Sequence, residues 1–180
     1  MLDQRRQLKV WHAGCGSGEE AYSLAILFTE AGLYHRTQFY ATDINRSVLE
    51  EARKGEIPFR ELRNYSANYL KAGGEKSLTD YLAIQAGTAR LRPELLTNIL
   101  FSDHNLAHDQ VFGEMDLILC RNVLIYFNQK LQNKVLNLFR DSLRPGGFLG
   151  LGMKEGLHFA DSRDDFIAID AKANIFQRKP

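Results

Sequence analysis

Two cysteines in 180 residues, Cys15 and Cys120, are too few for a disulfide framework. Both fall at loop or strand-end positions of an expected parallel sheet, which suits a reducing cytoplasm. No apolar run approaches the length of a membrane span, so no direct membrane insertion is expected. The first residues, Met-Leu-Asp-Gln-Arg-Arg-Gln, carry neither the apolar stretch nor the cleavage pattern of a secretory leader. Net charge is only +1, which argues against a duplex-wide nucleic-acid surface. Repeats and low-complexity segments are absent, and the length suits one domain with a full core. The first strand is expected at Leu8, an abrupt start that leaves room for an upstream domain outside this sequence.

What is present begins with Lys9-Val-Trp-His-Ala-Gly-Cys-Gly-Ser-Gly-Glu-Glu20. An apolar strand over Leu8–Ala13 runs into a loop with glycines at 14, 16 and 18, and then into a helix over Glu19–Glu30. Strand, glycine turn and helix N-terminus together make a cofactor cradle, because glycine permits the turn and keeps side chains out of the ligand's way. The same turn also occurs in folds with no ligand. Glu19 and Glu20 complement the exposed amides and dipole of the helix start, and for Glu19 that role suffices. Gly32 is the expected stop. A second strand over Gln38–Thr42 ends in Asp43, where an acid can accept both hydroxyls of a ribose. The competing reading is an N-cap or Asx turn ahead of a helix over Ser47–Lys54, although Asn45 or Ser47 can do the capping instead.

Residues 55–100 are irregular, with short helices expected between Phe59 and Leu70 and a small hairpin around Ala86-Gly87-Thr88. The 60–100 stretch reads as an insertion or elaborated crossover, a surface for a partner or substrate. A strand over Asn98–Ser102 follows. The nearly continuous apolar run Met115–Cys120 fits a central parallel strand. It ends in Arg121-Asn122, where open α/β sheets bind ligands. A helix over Asn128–Leu143 presents Leu131, Val135, Leu138, Phe139 and Ser142 on or near one face. Pro145-Gly146-Gly147 is expected to end it before a strand over Phe148–Met153. Asp165–Ile169 and Ile175–Arg178 then pair antiparallel. The fold class is therefore α/β, a Rossmann-like seven-stranded class I methyltransferase sheet with a terminal antiparallel hairpin, elaborated around residues 60–100. Residues 1–180 form one such domain.

At this point the chain resembles the chemotaxis receptor methyltransferase family, which methylates protein glutamates. The resemblance lies in Trp11 to Ala25, Ala41-Thr-Asp-Ile44, Glu51-Ala-Arg-Lys-Gly55, Phe101 to Leu106, Cys120-Arg-Asn-Val-Leu-Ile-Tyr-Phe127 and Arg144-Pro-Gly-Gly147. The resemblance implies S-adenosylmethionine as cofactor, S-adenosylhomocysteine as product and no metal. It implies a protein substrate, a chemoreceptor cytoplasmic domain. By that likeness Gly14 and Gly16 form the loop under the methionine end, and Glu20 lies near the amino-acid end or ribose. Asp43, with Ile44 beside it, binds ribose hydroxyls. Asn105 and Leu106 lie at the adenine, Arg121 and Asn122 line the pocket near its reactive side, and Tyr126 lies beside the methyl-transfer site. Arg121 and Tyr126 are the residues expected to position the acceptor. Read without the family, Arg121 could pair with Asp116 or Asp103, Asn122 could cap a turn, and Tyr126 and Phe127 could be core aromatics.

A carboxylate acceptor is ionised at neutral pH and needs no general base, so the expected contribution of the protein is alignment and a pocket that tolerates a positive sulfur. Cys15 and Cys120 are read as small packing residues. Two departures stand out. The family carries a helical N-terminal domain with a Thr-x-Phe-Phe-Arg type segment, and nothing of that kind precedes Leu8. Where the family has Gly-x-Ser-Glu after the fifth strand, this chain has Gly152-Met-Lys-Glu, with Lys154 in place of a small residue. Methylation of another substrate class, or ligand binding without catalysis, are the alternative functions.

Overall fold

A computed structural model describes residues 6–85, 87–158 and 160–180; Ala86 of the expected hairpin turn and residues 1–5 lie outside it. The strands are β1 (Leu8–Ala13), β2 (Thr37–Asp43), β3 (Glu56–Ile57), β4 (Leu82–Gln85), β5 (Thr88–Leu91), β6 (Ile99–Asp103), β7 (Met115–Cys120), β8 (Leu143–Leu151), β9 (Phe166–Asp170) and β10 (Ile175–Arg178). The α-helices are α1 (Glu19–Glu30), α2 (Arg46–Lys54), α3 (Leu62–Lys71) and α4 (Gln129–Ser142). Seven strands form one sheet in the order β6-β2-β1-β7-β8-β10-β9. The first five run parallel, and β10 is antiparallel to both β8 and β9. All five parallel strands therefore end at one edge, and the loops that leave them are neighbours.

Strand β1 is the centre of the molecule because both of its faces are covered. Val10 packs toward α1, whereas Trp11 and Ala13 pack toward α4. Trp11 is fully buried, meets Phe139 and Phe112 edge-on, and donates its indole N–H to Thr42 Oγ1 at 2.8 Å. Burying such a ring contributes on the order of 3 kcal/mol, and the hydrogen bond ties β1 to the end of β2.

Helix ends follow local chemistry. Gly32, at φ +66°, closes α1 with the Leu33 N–H on Phe28 O at 2.7 Å. Asn45 caps α2 by accepting the Ser47 N–H at 3.0 Å, and Gly55 ends it in the left-handed region. Asn128 caps α4 through the Leu131 N–H, also at 3.0 Å.

The insertion is a small antiparallel sheet, β3-β5-β4, with α3 beside it. Its apolar residues Ile57, Tyr69, Leu78, Tyr81, Leu82 and Leu91 join the core under α1, so it is packed onto the main sheet. Glu30 at the end of α1 accepts hydrogen bonds from the hydroxyls of both Tyr69 and Tyr81. Those bonds hold the Glu30 carboxyl below its ordinary pKa. A depressed carboxyl stabilises above its unfolded pKa and loses that contribution as pH falls through the folded value. Glu30→Ala is accordingly expected to speed amide exchange in residues 62–91 while leaving β1 amides protected. Equal protection of α3 in both proteins would refute that role.

One expectation is corrected. Pro145-Gly146-Gly147 does not end α4, because the helix stops at Ser142 and β8 begins at once. Met115 pairs with Leu143 and Leu117 with Phe148, so residues 144–147 bulge within the strand, with Gly146 at φ +76°. Asp116 anchors the bulge by accepting Arg144 Nε and the Lys9 N–H. The buried face of α4 is Val135, Leu136, Phe139 and Ser142, with Leu131 and Leu138 only half-buried. Tyr126 is not a core aromatic: it is 80% exposed.

Candidate functional site

The glycine loop is stitched to the end of β2. The N–H groups of Gly14 and Cys15 both donate to Thr42 O at 2.8 Å. Gly16 N–H donates to Asp43 Oδ2 at 3.0 Å, while Asp43 Oδ1 accepts the Asn45 N–H at 2.9 Å. Asp43 thus makes the Asx turn ahead of α2 and also grips the glycine loop. Each of its oxygens retains a second lone pair for a ligand hydroxyl. Glycine is required at two positions here. Gly14, at φ +76°, would place a Cβ 2.4 Å from Val123 Cγ2. Gly16, at φ +53°, faces open space, with nothing within 4 Å of where its Cβ would be.

Glu20, in the first turn of α1, places a carboxylate on the cleft wall. Its Oε1 lies 3.0 Å from His12 Nδ1 and its Oε2 lies 3.2 Å from Arg121 Nη1. Burial works to raise its pKa, but the hydrogen bond and charge from His12 and Arg121 outweigh burial and hold Glu20 below the usual carboxylate range. Arg121 therefore pairs across the cleft with Glu20. The partners considered from sequence are taken: Asp116 by Arg144 and Asp103 by Arg46.

The cleft itself is a cavity of about 270 Å³ lined by Gly14, Cys15, Gly16, Ser17, Glu19, Glu20, Arg121 and Asn122. Burial pushes the Cys15 thiol up to about 12, with the Asp43 charge adding to the shift. Cys120 is raised well above its ordinary value, again by burial. Both are neutral packing groups at physiological pH, unsuited to nucleophilic chemistry.

Five of the residues singled out from sequence, Gly14, Gly16, Glu20, Arg121 and Asn122, thus share one cavity. Asp43 meets it from behind, through Gly16. The others stand apart. Ile44 is 68% exposed next to Asp43. Asn105 closes its own turn by accepting the Ala107 N–H at 3.0 Å, and Leu106 is buried in the core around Trp11. Tyr126 sits on a short 3-10 turn and does not line the cavity.

Glu155, with Asn174 behind it, and His12 bear on the site and were not singled out. The Glu155 carboxylate accepts backbone N–H groups from Asn122 (3.0 Å), Val123 (2.8 Å), Leu124 (2.7 Å) and Gly152 (2.7 Å). It holds Asn122 at φ +60°, a conformation uncommon outside glycine. Asn174, at the tip of the β9–β10 hairpin, donates to the carbonyls of Gly152 (2.8 Å) and Glu155 (2.9 Å). A chain of contacts thus runs from the C-terminal hairpin through Glu155 and Val123 to Gly14. The signal in sequence was the acid that survives in Gly152-Met-Lys-Glu although its neighbours differ. The other residue is His12, treated below.

The donor set fits a ligand with a cationic amino-acid end. An ionised carboxylate faces a small cavity whose wall is bare backbone at Gly16, and a second carboxylate stands at the next strand end. Comparison with known proteins agrees. The family described as CheR methyltransferase, SAM binding domain, matches residues 1–175. Cher3 of Pseudomonas putida is 46% identical over 171 residues, covering 95% of this chain and 63% of that protein. A chemotaxis protein methyltransferase of Listeria innocua is 35% identical over 153 residues, covering 85% of this chain and 55% of that protein. The chain thus spans less than two thirds of either relative. Among solved structures, the DszA carbon methyltransferase superposes with a TM-score of 0.51 at 18% identity, covering 88% of this chain and 32% of that one, a likeness of fold.

Proposed function

The chain belongs to the CheR methyltransferase family, matching its SAM-binding domain, and from that premise we propose that it transfers a methyl group from S-adenosylmethionine to glutamate side chains of a protein, a chemoreceptor cytoplasmic domain. The observation that carries this reading is the ionised Glu20 on the wall of a cavity bounded by the glycine loop and by Arg121-Asn122. Glu20 suits the cationic methionine end, the amides of the glycine loop suit its carboxylate, and Asp43 suits ribose hydroxyls. The cofactor, when bound, supplies a methyl group already activated by a sulfonium.

What remains for this chain's residues is placement. The acceptor carboxylate needs no base, since an ordinary glutamate is ionised at neutral pH. Arg121 is roughly half exposed and contributes a guanidinium at the mouth of the cavity, where it can draw an anionic acceptor toward the reacting end. Tyr126, exposed at the same edge, is available to an approaching protein rather than to the cofactor. The β3-β5-β4 insertion offers a docking surface for the acceptor protein.

The test has two arms. Calorimetry should show S-adenosylhomocysteine binding to this chain, and radiolabelled methyl groups should appear as base-labile esters on a purified chemoreceptor fragment. Binding without label on any receptor preparation would favour the second reading, a ligand-sensing module. The position of Tyr126 outside the cavity is the observation on its side. Because Glu20 is held below the ordinary carboxylate range, affinity for the cofactor should not weaken through its protonation until the pH falls below that range.

A further inference from the structure

His12 is out of place in β1. The strand's other inward positions are apolar, yet this imidazole is 0% exposed and lies over Phe39 with ring centroids 6.2 Å apart. Burying a polar ring is costly unless it is hydrogen-bonded. Among the described residues its one polar contact is Nδ1 to Glu20 Oε1 at 3.0 Å, and Nε2 is buried without a partner. A mere core residue at this position would be served better by an aliphatic side chain.

The chemistry of the contact fixes the tautomer. Glu20 is ionised and can only accept, so Nδ1 carries the proton. The geometry therefore places a proton on Nδ1, in the hydrogen bond to Glu20. From there the ring holds one carboxylate oxygen from inside the core. Arg121 pairs with the other oxygen, but from the rim, where it is 49% exposed. The nearby thiols of Cys15 and Cys120 are both pushed up and stay neutral, and Glu19 is occupied by the Ser17 hydroxyl. Among the described residues no other buried side chain holds Glu20.

We propose that His12 is a positioning residue: as a buried Nδ1–H donor it locks the Glu20 carboxylate in the orientation that receives a cationic amino-acid ligand. This rests on the reading of Glu20 as a contact to the methionine end of the cofactor. A glutamate has three rotatable bonds, and fixing them before binding removes an ordering cost that the ligand would otherwise bear.

Three proteins test it by calorimetry with S-adenosylhomocysteine at pH 7.5: wild type, His12→Leu and His12→Asn. Leucine fills the space but removes the donor, whereas asparagine places an amide N–H near the position of Nδ1–H. His12→Leu should bind roughly tenfold more weakly and His12→Asn within about threefold of wild type. Circular dichroism melts establish that each variant is folded. Nitrogen-15 spectra of histidine-labelled wild type give a readout that packing alone would not produce, a proton on Nδ1. Equal affinity of wild type and a folded His12→Leu would overturn the positioning role while leaving the site reading intact. Protonation at Nε2 alone would overturn it even if His12→Leu failed to fold. Failure of wild type to bind the ligand at all would overturn both the role and the site reading on which it rests.

Discussion

Glu155→Ala is expected to lower the melting temperature by about 6–12 °C, equivalent to roughly 3 kcal/mol for a domain of this size. The substitution removes the shared acceptor of four backbone N–H groups, from Asn122, Val123, Leu124 and Gly152. Hydrogen bonds to a charged acceptor contribute more than neutral ones, and all four donors lose theirs together. Solvent recovers part of the loss because the loop lies near the surface, which is why the expected figure is well below four separate bonds. Function should suffer beyond stability. Arg121 and Asn122 form one wall of the cavity, and Val123, next in the chain, packs against the Gly14 position. Once the loop relaxes, affinity for S-adenosylhomocysteine should fall even at temperatures where the variant is fully folded. Glu155→Gln should recover less than half of the stability, because one of its two ends is a donor facing donors. Thermal melts and calorimetry on the three proteins check this, and an unchanged melting temperature in Glu155→Ala would remove Glu155 from the description.

Asp43→Ala is expected to weaken S-adenosylhomocysteine binding about 100-fold, with a stability loss of roughly 1–2 kcal/mol. Two effects add. The carboxylate that suits ribose hydroxyls disappears, and the Gly16 N–H loses the acceptor that holds the glycine loop in place. Asp43→Asn separates them. An amide can still accept one backbone N–H, so the loop should stay closer to its native shape, while a donor now faces the ribose. Asparagine should therefore recover most of the stability and little of the affinity. Equal affinity in wild type and Asp43→Ala would sink the ribose assignment.

Much of the fold was legible because its signals are local. The β1 and α1 boundaries follow from an apolar run, a glycine turn and an amphipathic helix, and they coincide with the observed Leu8–Ala13 and Glu19–Glu30. The end of α4 was less legible. Pro145-Gly146-Gly147 has the composition of a helix stop, but β7 offers free backbone partners as far back as Leu143, and strand pairing extends through the proline as a bulge. Composition near a sheet edge cannot say which neighbour will supply hydrogen bonds.

The candidate site divides along the same line. The sequence alone singled out the candidates at the strand ends: glycines at 14 and 16, the carboxylate at 43 and an arginine at 121, with Glu20 added by the family resemblance. Their residue types and their places after apolar runs are chain-local properties. Only the tertiary structure decided who holds them. The pairing of Glu20 with His12 and Arg121, the four amides gathered by Glu155, and the contact of Val123 with Gly14 join segments up to 109 residues apart. Such contacts depend on sheet order, which brings β7 beside β1 and the C-terminal hairpin beside β8. Hydrogen-bond geometry across strand ends is set by that order, and no periodicity along the chain encodes it.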